Sequence, residues 1–424
     1  MANKAKWTVL TYIAAHNNLN NYGRNSLDEL LAVGSTSEVV LGALYDCKVG
    51  AARYVMGDPG GVEWQKQEGR FDSGDPDELI DTAKWLFEKY PAERYGLVLW
   101  SHGTGWEPSE IEEIAKEARL AASRDAAESR ERSSEPGSRA LFRTTLRSLL
   151  KPEKRIERAI LFDDGTGHSL DTLELARVTD SIAKTIGQPL DVLGMDACLM
   201  ANLEVAYEIR KAVRYLVASE ELVPAHSWPY KEVFGSLRAK PTMTGAELAK
   251  LVVDRYIAYY TAKPPSGGDV TKVALDLGRI DDVVKMVNEL AEALRADMST
   301  VADALWDAQV GIRQRESRDG KRQPNKFDYT LWDMGSLAAR LAESKVNSTA
   351  VRQAATNTVK ALSAGAGAVL AEGHYGAWFD GIGGASVYFM PPGQQRVAPS
   401  YAQLAFAKDT QWGEMLLAYH KHFS

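Results

Sequence analysis

The stretch DVLGMDACLMANLEVAY, residues 191–207, is the part of the sequence that decides the fold. The apolar run at its start, Leu190 to Met195, has the composition of a buried strand, and Met200 to Ala212 carries apolar residues at helical spacing. Cys198 lies between the two predicted elements. A thiol at the carboxyl end of a buried strand, just ahead of a helix, lies where open α/β sheets bind ligands and where backbone N–H groups favour a thiolate. We therefore expect Cys198 to be a nucleophile.

A second strand end supplies the base that such a nucleophile needs. The run Tyr95 to Ser101 has the pattern of another buried strand, and His102 and Gly103 follow it directly. Glycine at this point lets the backbone approach a substrate closely. A lone cysteine is more often an inert, buried thiol. The pairing of a Cys and a His at two strand ends is what favours a catalytic dyad here.

Strands that alternate with helices predict a mostly parallel sheet covered by helices on both faces, an α/β fold. The other expected elements are strands at Trp7 to Ala15, Glu38 to Asp46, Ala159 to Asp164 and Arg214 to Ser219, a hairpin within 53–67, and helices at Asp77 to Tyr90 and Leu170 to Gly187. Beyond residue 240 helical patterns dominate, with strand-like runs at Val273 to Leu277 and Ala385 to Met390.

This pattern divides the chain into four parts. Residues 1–106 end with the His strand, 107–158 form a charged insert, 159–238 hold the Cys strand, and 239–424 are a helix-rich C-terminal extension that completes the fold. The insert is rich in Glu and Arg, and its centre, ERSSEPGSR at 131–139, has the composition of a disordered linker. It separates the two halves of the predicted dyad.

Composition limits the partners. The net charge is −7, which argues against nucleic acid, and no apolar run is long enough to span a membrane. Two cysteines, Cys47 and Cys198, do not make a disulfide framework, and no Cys/His cluster has the spacing of a zinc site. The N-terminal residues lack a signal-peptide pattern, so a cytoplasmic location is the simplest expectation. A secreted protein whose leader is missing from the sequence would look the same.

Two sequence motifs resemble those of a known family. LVLWSHGTGW, residues 97–106, and GMDACLM, residues 194–200, resemble the clostripain family of cysteine peptidases, which share a caspase-like fold with caspases, legumains and gingipains. The resemblance covers most of residues 7–238. It implies a caspase-like sheet flanked by helices and a cysteine endopeptidase that acts on proteins or peptides with basic residues. The alternative is a signalling or binding module of the same fold whose dyad is vestigial.

The resemblance also assigns site residues. It implies that the backbone N–H groups of Gly103 and Cys198 form the oxyanion hole. The family's aspartate at the position of Asp196 helps to form the pocket for the P1 residue, the one that precedes the cleaved bond, and favours Arg or Lys there. Strand alternation puts the Asp196 and Cys198 side chains on one side, although an N-cap or a structural carboxylate is the competing interpretation of Asp196. His226 stands where relatives commonly carry an acidic or aromatic residue, so it is a second candidate for substrate binding.

Two further expectations concern metals and activation. Some members of the family depend on calcium, but the carboxylate pair Asp163 and Asp164 lacks a full ligand set, so we expect no cofactor and keep calcium as an option. The insert is expected to make the protein a zymogen, cut within 130–147 by the enzyme itself or by an upstream protease; a docking surface for a partner is the other interpretation. Seven arginines of the insert are candidate sites: Arg119, Arg124, Arg130, Arg132, Arg139, Arg143 and Arg147.

Overall fold

The structure is a computed structural model that describes residues 4–57, 61–105, 160–265, 269–313, 331–343, 346–376, 381–389, 397 and 400–423. The predictions on the charged insert, 107–158, therefore lie outside the described residues. No helix in the described ranges combines the length and apolar character needed to cross a bilayer.

One nine-stranded sheet organises the molecule, in the order β10-β8-β7-β6-β5-β1-β2-β3-β4. The five strands from β7 to β2 are parallel to their neighbours, while β3 and β4 at one margin and β8 and β10 at the other add antiparallel pairs. This confirms the predicted fold class, a largely parallel sheet flanked by helices. The strands are β1 (Ala5–Ala14), β2 (Val39–Cys47), β3 (Gly50–Met56), β4 (Val62–Lys66), β5 (Ala92–Trp100), β6 (Leu190–Asp196), β7 (Val213–Ala218), β8 (Val270–Asp276) and β10 (Val369–Tyr375), with β9 (Leu331–Asp333) and β11 (Ser386–Tyr388) in a small second sheet.

Helices cover both faces of the sheet, so its central strands are buried on both sides. Every residue of β2 and of β6 is buried, which explains why these strands are continuous apolar runs rather than alternating ones. The helices are α1 (Asn20–Val33), α2 (Pro76–Lys89), α3 (Thr172–Ile186), α4 (Leu203–Ile209), α5 (Tyr230–Ala239), α6 (Gly245–Ala262), α7 (Ile280–Ala296), α8 (Met298–Arg313), α9 (Met334–Glu343), α10 (Thr349–Leu362), α11 (Ala405–Asp409) and α12 (Trp412–Phe423).

Local capping explains several boundaries. The Asp75 carboxylate accepts a hydrogen bond from the Asp77 N–H, and Pro76 opens α2. Helix α3 begins with a capping box between Asp171 and Glu174 and ends at Gly187, whose φ of 75° suits a left-handed C-cap. Both helices were predicted at these places.

Three features differ from the sequence predictions. The strand expected at Ala159 to Asp164 is wrong over its described residues: only Ile160 makes isolated bridges, to Gly103 and to Leu170, and Leu161, with φ of 62°, turns the chain away. The helix after Cys198 begins at Leu203 rather than Met200, because the Asn202 side chain caps it by accepting a hydrogen bond from the Val205 N–H. Strand β10 was not predicted, and it pairs with β8 at the margin of the sheet.

Candidate active site

The two predicted strand ends lie side by side. Strands β5 and β6 are parallel neighbours with Trp100 opposite Asp196, so His102 and Cys198 each follow that matched pair by the same number of residues. Both residues line one pocket. The fold therefore brings the two halves of the predicted dyad to one edge of the sheet, where open α/β folds place their ligands.

Gly103 allows the two strand ends to come this close. A Cβ at this position would lie 2.5 Å from the Cys198 carbonyl oxygen and 2.9 Å from the Cβ of Ala197. No real side chain fits at such distances. The backbone of residue 103 is therefore held directly against the backbone of Cys198. Its role as an oxyanion-hole donor stays a prediction.

A hydrogen bond to Asn18 sets the tautomer of His102. The His102 Nε2 lies 3.0 Å from Asn18 Oδ1, and because an amide oxygen only accepts, Nε2 carries the proton and Nδ1 carries the lone pair. The ring also packs edge-on against Phe162. Burial lowers the pKa of His102 to about 4. The imidazole is therefore neutral near pH 7 and can act as a base through Nδ1.

The surroundings of Cys198 favour the protonated thiol. Its side chain is buried, and burial raises its pKa to about 11, although the N–H of Val223 donates a hydrogen bond to Sγ at 3.2 Å. Two expectations are corrected by this environment. Helix α4 begins five residues after Cys198 and so does not stabilise a thiolate, and both members of the pair favour their neutral forms instead of an ion pair.

Asp196 lines the same pocket, with one oxygen atom unpaired. Its Oδ2 accepts hydrogen bonds from the N–H of Trp228 and from the Tyr230 hydroxyl, at 3.1 and 2.9 Å. Within the described residues, its Oδ1 is buried and has no hydrogen-bond partner. Burial raises the pKa of the carboxyl, while Lys272, the Ser227 hydroxyl and the two hydrogen bonds to Oδ2 act in the opposite direction. Because Asn202 caps the following helix, Asp196 is not an N-cap.

Strained backbone surrounds this pocket. In the described part of the chain, three residues other than glycine have positive φ: Leu161, Leu199 and Ser227, at 62°, 63° and 65°. Leu199 follows Cys198 directly, and Ser227 lines the pocket. Such conformations are costly for residues with a Cβ and are concentrated at functional sites.

His226 lies beside the pocket rather than in its wall. Its neighbours Ala225 and Ser227 line the pocket, whereas His226 is exposed and packs edge-on against Tyr22, with the ring centroids 5.7 Å apart. Its contribution to substrate binding stays a prediction.

The carboxylate pair considered for calcium does not act as a pair. Asp163 is buried and Asp164 is exposed. Of the described residues, His16, Asp46 and Asp163 form the one acidic cluster whose ligand atoms lie within 4.8 Å of one another. Asp163 already accepts hydrogen bonds from three backbone N–H groups, those of Ser73, Gly165 and Thr166. Calcium needs six to eight oxygen ligands, so these residues do not fit it.

Two residues of the site were missed in the sequence. Asn18, in the polar turn after β1, orients His102. Lys272 lies within β8 and is 1% exposed. A lysine inside an otherwise apolar strand pattern was a usable signal, because lysine is almost never fully buried without a specific role.

Comparisons with known proteins agree with this architecture. A sequence model described as the clostripain family matches residues 11–120 and 148–419. Clostripain from Hathewaya histolytica is 25% identical over 174 residues, which is 39% of this chain and 25% of that protein. The chain thus spans a quarter of the length of this curated relative.

Two solved structures resemble the whole chain. A secreted C11 cysteine protease from Bacteroides thetaiotaomicron, in complex with an irreversible peptide inhibitor, is 18% identical and superposes with a TM-score of 0.59 over 98% of this chain and 99% of that one. An inactive zymogen C11 protease from Parabacteroides distasonis is also 18% identical, with a TM-score of 0.62 over 97% of this chain and 99% of that one. At these identities the likeness shows the fold alone. The first of these neighbours is described as secreted, and no comparison supports the cytoplasmic location expected above.

The family match covers most of the chain, and it includes both strand ends that form the pocket. The chain therefore belongs to the clostripain family, a family of cysteine peptidases.

Proposed function

We propose that this protein is a cysteine endopeptidase that uses His102 and Cys198 as its catalytic dyad and cleaves after Arg or Lys. The observation that carries the proposal is the matched register of β5 and β6, which brings both side chains into one pocket with Asp196. Membership of the clostripain family supports the reaction class. The basic P1 preference rests on the buried carboxylate.

The geometry suits acyl transfer. As Cys198 Sγ attacks the substrate carbonyl carbon, its proton passes to His102 Nδ1, and the N–H groups of Gly103 and Cys198 stabilise the oxyanion. The tetrahedral intermediate collapses when the C–N bond breaks and His102 gives the proton to the leaving amine. A water molecule, deprotonated by His102, then attacks the thioester, and the acid product leaves as Cys198 regains its proton. Because the resting pair is neutral, the proton moves during the attack.

Asp196 supplies the charge that would select a basic side chain. Its Oδ1 has no hydrogen-bond partner in the described ranges, and it belongs to a buried carboxylate in the pocket wall. A guanidinium or ammonium entering the pocket would satisfy this atom by a charge-assisted hydrogen bond, the strong kind. The proposal therefore makes Asp196 the main contact for P1.

Peptides that differ only at P1 test this function. We expect hydrolysis after Arg and Lys, and we expect Asp196→Asn to lower kcat/KM for these peptides roughly tenfold to a hundredfold more than for peptides with a neutral P1 residue. Asp191→Asn is the matched control, because Asp191 is a buried carboxylate at the other end of β6 that accepts a hydrogen bond from the Tyr95 N–H. A chelator should not change the rates, since we propose catalysis without a bound metal. A wild-type preference for acidic P1 residues would overturn the assigned pocket.

One observation favours the competing function, a binding or signalling module. Cys198 is buried, which favours its protonated form, and the Val223 N–H is directed at its sulfur, as expected of a dyad that is not poised to react. The same panel separates the two functions: a vestigial site would give no turnover with any P1 residue and no labelling of Cys198 by a peptidyl chloromethyl ketone.

The neutral form of the dyad also supports activation by cleavage. The family match leaves out residues 121–147, within the insert between His102 and Cys198. One structural neighbour is described as an inactive zymogen. We propose that cleavage within 130–147, by this enzyme or by an upstream protease, converts the buried, neutral site into an active one.

A further inference from the structure

Lys272 is a buried lysine that forms no salt bridge or hydrogen bond with any residue the structure describes. It is 1% exposed, and within the described ranges its Nζ has no hydrogen-bond partner. The ammonium lies 4.1 Å from the centre of the Tyr256 ring and 5.3 Å from that of Trp228, so cation–π contacts are its nearest stabilising interactions. A buried cation is costly unless a negative charge compensates it. A negative charge near Lys272 is therefore expected.

Strand register directs Lys272 toward the active-site pocket. In the parallel pair of β6 and β7, Gly194 lies opposite Val217, so Asp196 aligns with Ser219. In the antiparallel pair of β7 and β8, Ala218 lies opposite Val273, so Ser219 aligns with Lys272. Residues in one row of a sheet point to the same face. Asp196 and Lys272 thus share a face two strands apart, a backbone separation of roughly 10 Å that a lysine side chain can largely bridge.

Trp228 joins these two charged residues. Its backbone N–H donates a hydrogen bond to Asp196 Oδ2, and its ring lies beneath the Lys272 ammonium. Burial lowers the pKa of Lys272 to about 8, while the charges of Asp196 and Cys198 raise it. Reciprocally, Lys272 lowers the pKa of Asp196 and of Cys198. The ammonium is therefore charged at neutral pH and acts on both pocket residues.

We propose that Lys272 is the built-in countercharge of the active-site pocket: it stabilises the Cys198 thiolate and offsets the attraction of Asp196 for a basic P1 side chain. The second part rests on the proposed function. A guanidinium that enters the pocket meets the Asp196 carboxylate, but it is also repelled by the cation behind that carboxylate. The pocket is then close to neutral overall, and its preference for a basic residue is weaker than a lone buried aspartate would give.

Substrates with Arg or citrulline at P1 isolate this charge effect, because the two side chains have nearly the same shape and differ in charge. We expect Lys272→Met to raise the ratio of kcat/KM for Arg over citrulline by about tenfold, since a like charge near the P1 group is removed. Lys272→Arg should keep the wild-type ratio. Lys250→Met, which removes an exposed lysine from α6, is the matched control and should change nothing.

The pH dependence of the same ratio is a second readout. Neither Arg nor citrulline titrates between pH 7 and 9, and changes at the dyad affect both substrates equally. As Lys272 loses its proton near pH 8, the wild-type ratio should rise toward that of Lys272→Met, whose own ratio should stay flat. The other titratable groups around this cluster are Asp196, Cys198, Glu221, His226, Tyr230, Tyr256 and Tyr260; burial raises the pKa of all three tyrosines, so they stay neutral in this range.

Alkylation of Cys198 tests the proposal without any peptide cleavage. Iodoacetamide is neutral and reacts with the thiolate, and mass spectrometry of digested protein separates Cys198 from Cys47. Lys272→Met should shift the alkylation profile of Cys198 to higher pH and lower its rate at pH 8 severalfold, with rescue by Lys272→Arg. Lys272 makes no hydrogen bond within the described ranges, so replacing it by an apolar side chain is not expected to unfold the protein.

The outcomes separate the two proposals. An unchanged Cys198 alkylation profile in folded Lys272→Met protein would overturn the countercharge, whether or not any peptide is hydrolysed. An unchanged ratio for Arg over citrulline in an active Lys272→Met enzyme would overturn it as well. Absence of turnover with every peptide, together with the predicted shift in alkylation, would instead support the countercharge and remove the proposed peptidase function.

Discussion

His102 shows how the surroundings of one side chain set its protonation and its tautomer. One hydrogen bond to Asn18 fixes its tautomer, and burial holds it neutral. Asn18, which orients His102, therefore lies in the turn after β1, far in sequence from the two motifs that indicate the dyad. Neutrality of the base is a property of the folded state, so it can be measured as a pH dependence of stability.

The pKa of His102 predicts a loss of stability in mild acid. It falls from an ordinary value of 6.5 to about 4 in the fold, so the unfolded chain binds the proton first as the pH decreases. The stability contributed by the neutral ring is complete above pH 6.5 and is lost as the pH falls toward 4. Between pH 7.5 and pH 5 this amounts to about 2 kcal/mol.

Urea unfolding at these two pH values measures the effect. In a Cys198→Ala background, which prevents self-digestion, the free energy of unfolding should fall by about 2 kcal/mol more for the protein with His102 than for His102→Gln. Comparing the two proteins cancels the contributions of other titrating groups. Equal losses in both would show that His102 is not held neutral by the fold.

At the residue scale, the sequence predicted those site residues whose type and position at a strand end together indicate a chemical role. His102, Cys198 and Asp196 were predicted and share one pocket. Asn18 and Lys272 were missed as site residues because their roles depend on which side chains the sheet brings together from distant segments. The predicted thiolate failed for a related reason: burial of the pocket outweighs the nearby N–H donor.

At the scale of elements, the strand ends and the turns after them define the site. The turn after β5 must pass against the Cys198 backbone, and Gly103 is the residue that permits it. Gly103→Ala should cost about 1–3 kcal/mol of stability through overpacking and should lower kcat far more than it changes KM, because it displaces the oxyanion donor.

A second glycine provides the control that tests whether the effect of Gly103→Ala is local. Gly235, within α5, has no atom within 4 Å of an added Cβ, so Gly235→Ala should raise stability by about 0.5–1 kcal/mol and leave activity unchanged. Thermal melts and steady-state kinetics of both variants are the measurement. Full activity in Gly103→Ala would show that the turn does not need to approach the nucleophile.

Elements with strong local signals were predicted well. Strand β6, the hairpin of β3 and β4, and the capped helices α2 and α3 all lie where their patterns placed them. The failures occurred where tertiary contacts override the pattern. Residues 160–164 are apolar enough for a strand but turn around the Asp163 carboxylate, which accepts the N–H groups of Gly165 and Thr166. Strand β10 gains its partner only through β8, and its sequence alone did not indicate it.

At the scale of the whole molecule, the C-terminal half belongs to the same sheet as the candidate site. Strands β8 and β10 extend the same sheet that carries the dyad, and β8 brings Lys272 behind Asp196. Helix α6 adds Tyr260, whose hydroxyl donates a hydrogen bond to the carbonyl of Ser227 in the pocket wall. The sequence indicated helices in this half, but it did not reveal that Tyr260 contacts the backbone of the pocket wall.

The charged insert, residues 107–158, is where we expect cleavage to control the activity of the whole molecule. If cleavage activates the enzyme, a variant in which the seven named arginines of residues 107–158 are glutamine should stay a single chain with activity reduced at least tenfold. Mass spectrometry maps new termini in the wild type and in Cys198→Ala, and cuts in the wild type alone would identify self-processing. Full activity from the single-chain variant would contradict activation at these arginines and favour the docking interpretation.

The central claim is that Cys198, and not the other thiol, performs hydrolysis. Cys47 is a useful control because it is also buried at a strand end, where its Sγ contacts the Gly50 carbonyl oxygen. The most direct measurement is the hydrolysis of one peptide with Arg at P1 by processed wild type, Cys198→Ala and Cys47→Ala. We predict that Cys47→Ala keeps the wild-type rate and that Cys198→Ala loses at least about a thousandfold in kcat with an unchanged thermal melt. Turnover by Cys198→Ala near the wild-type rate would contradict the account.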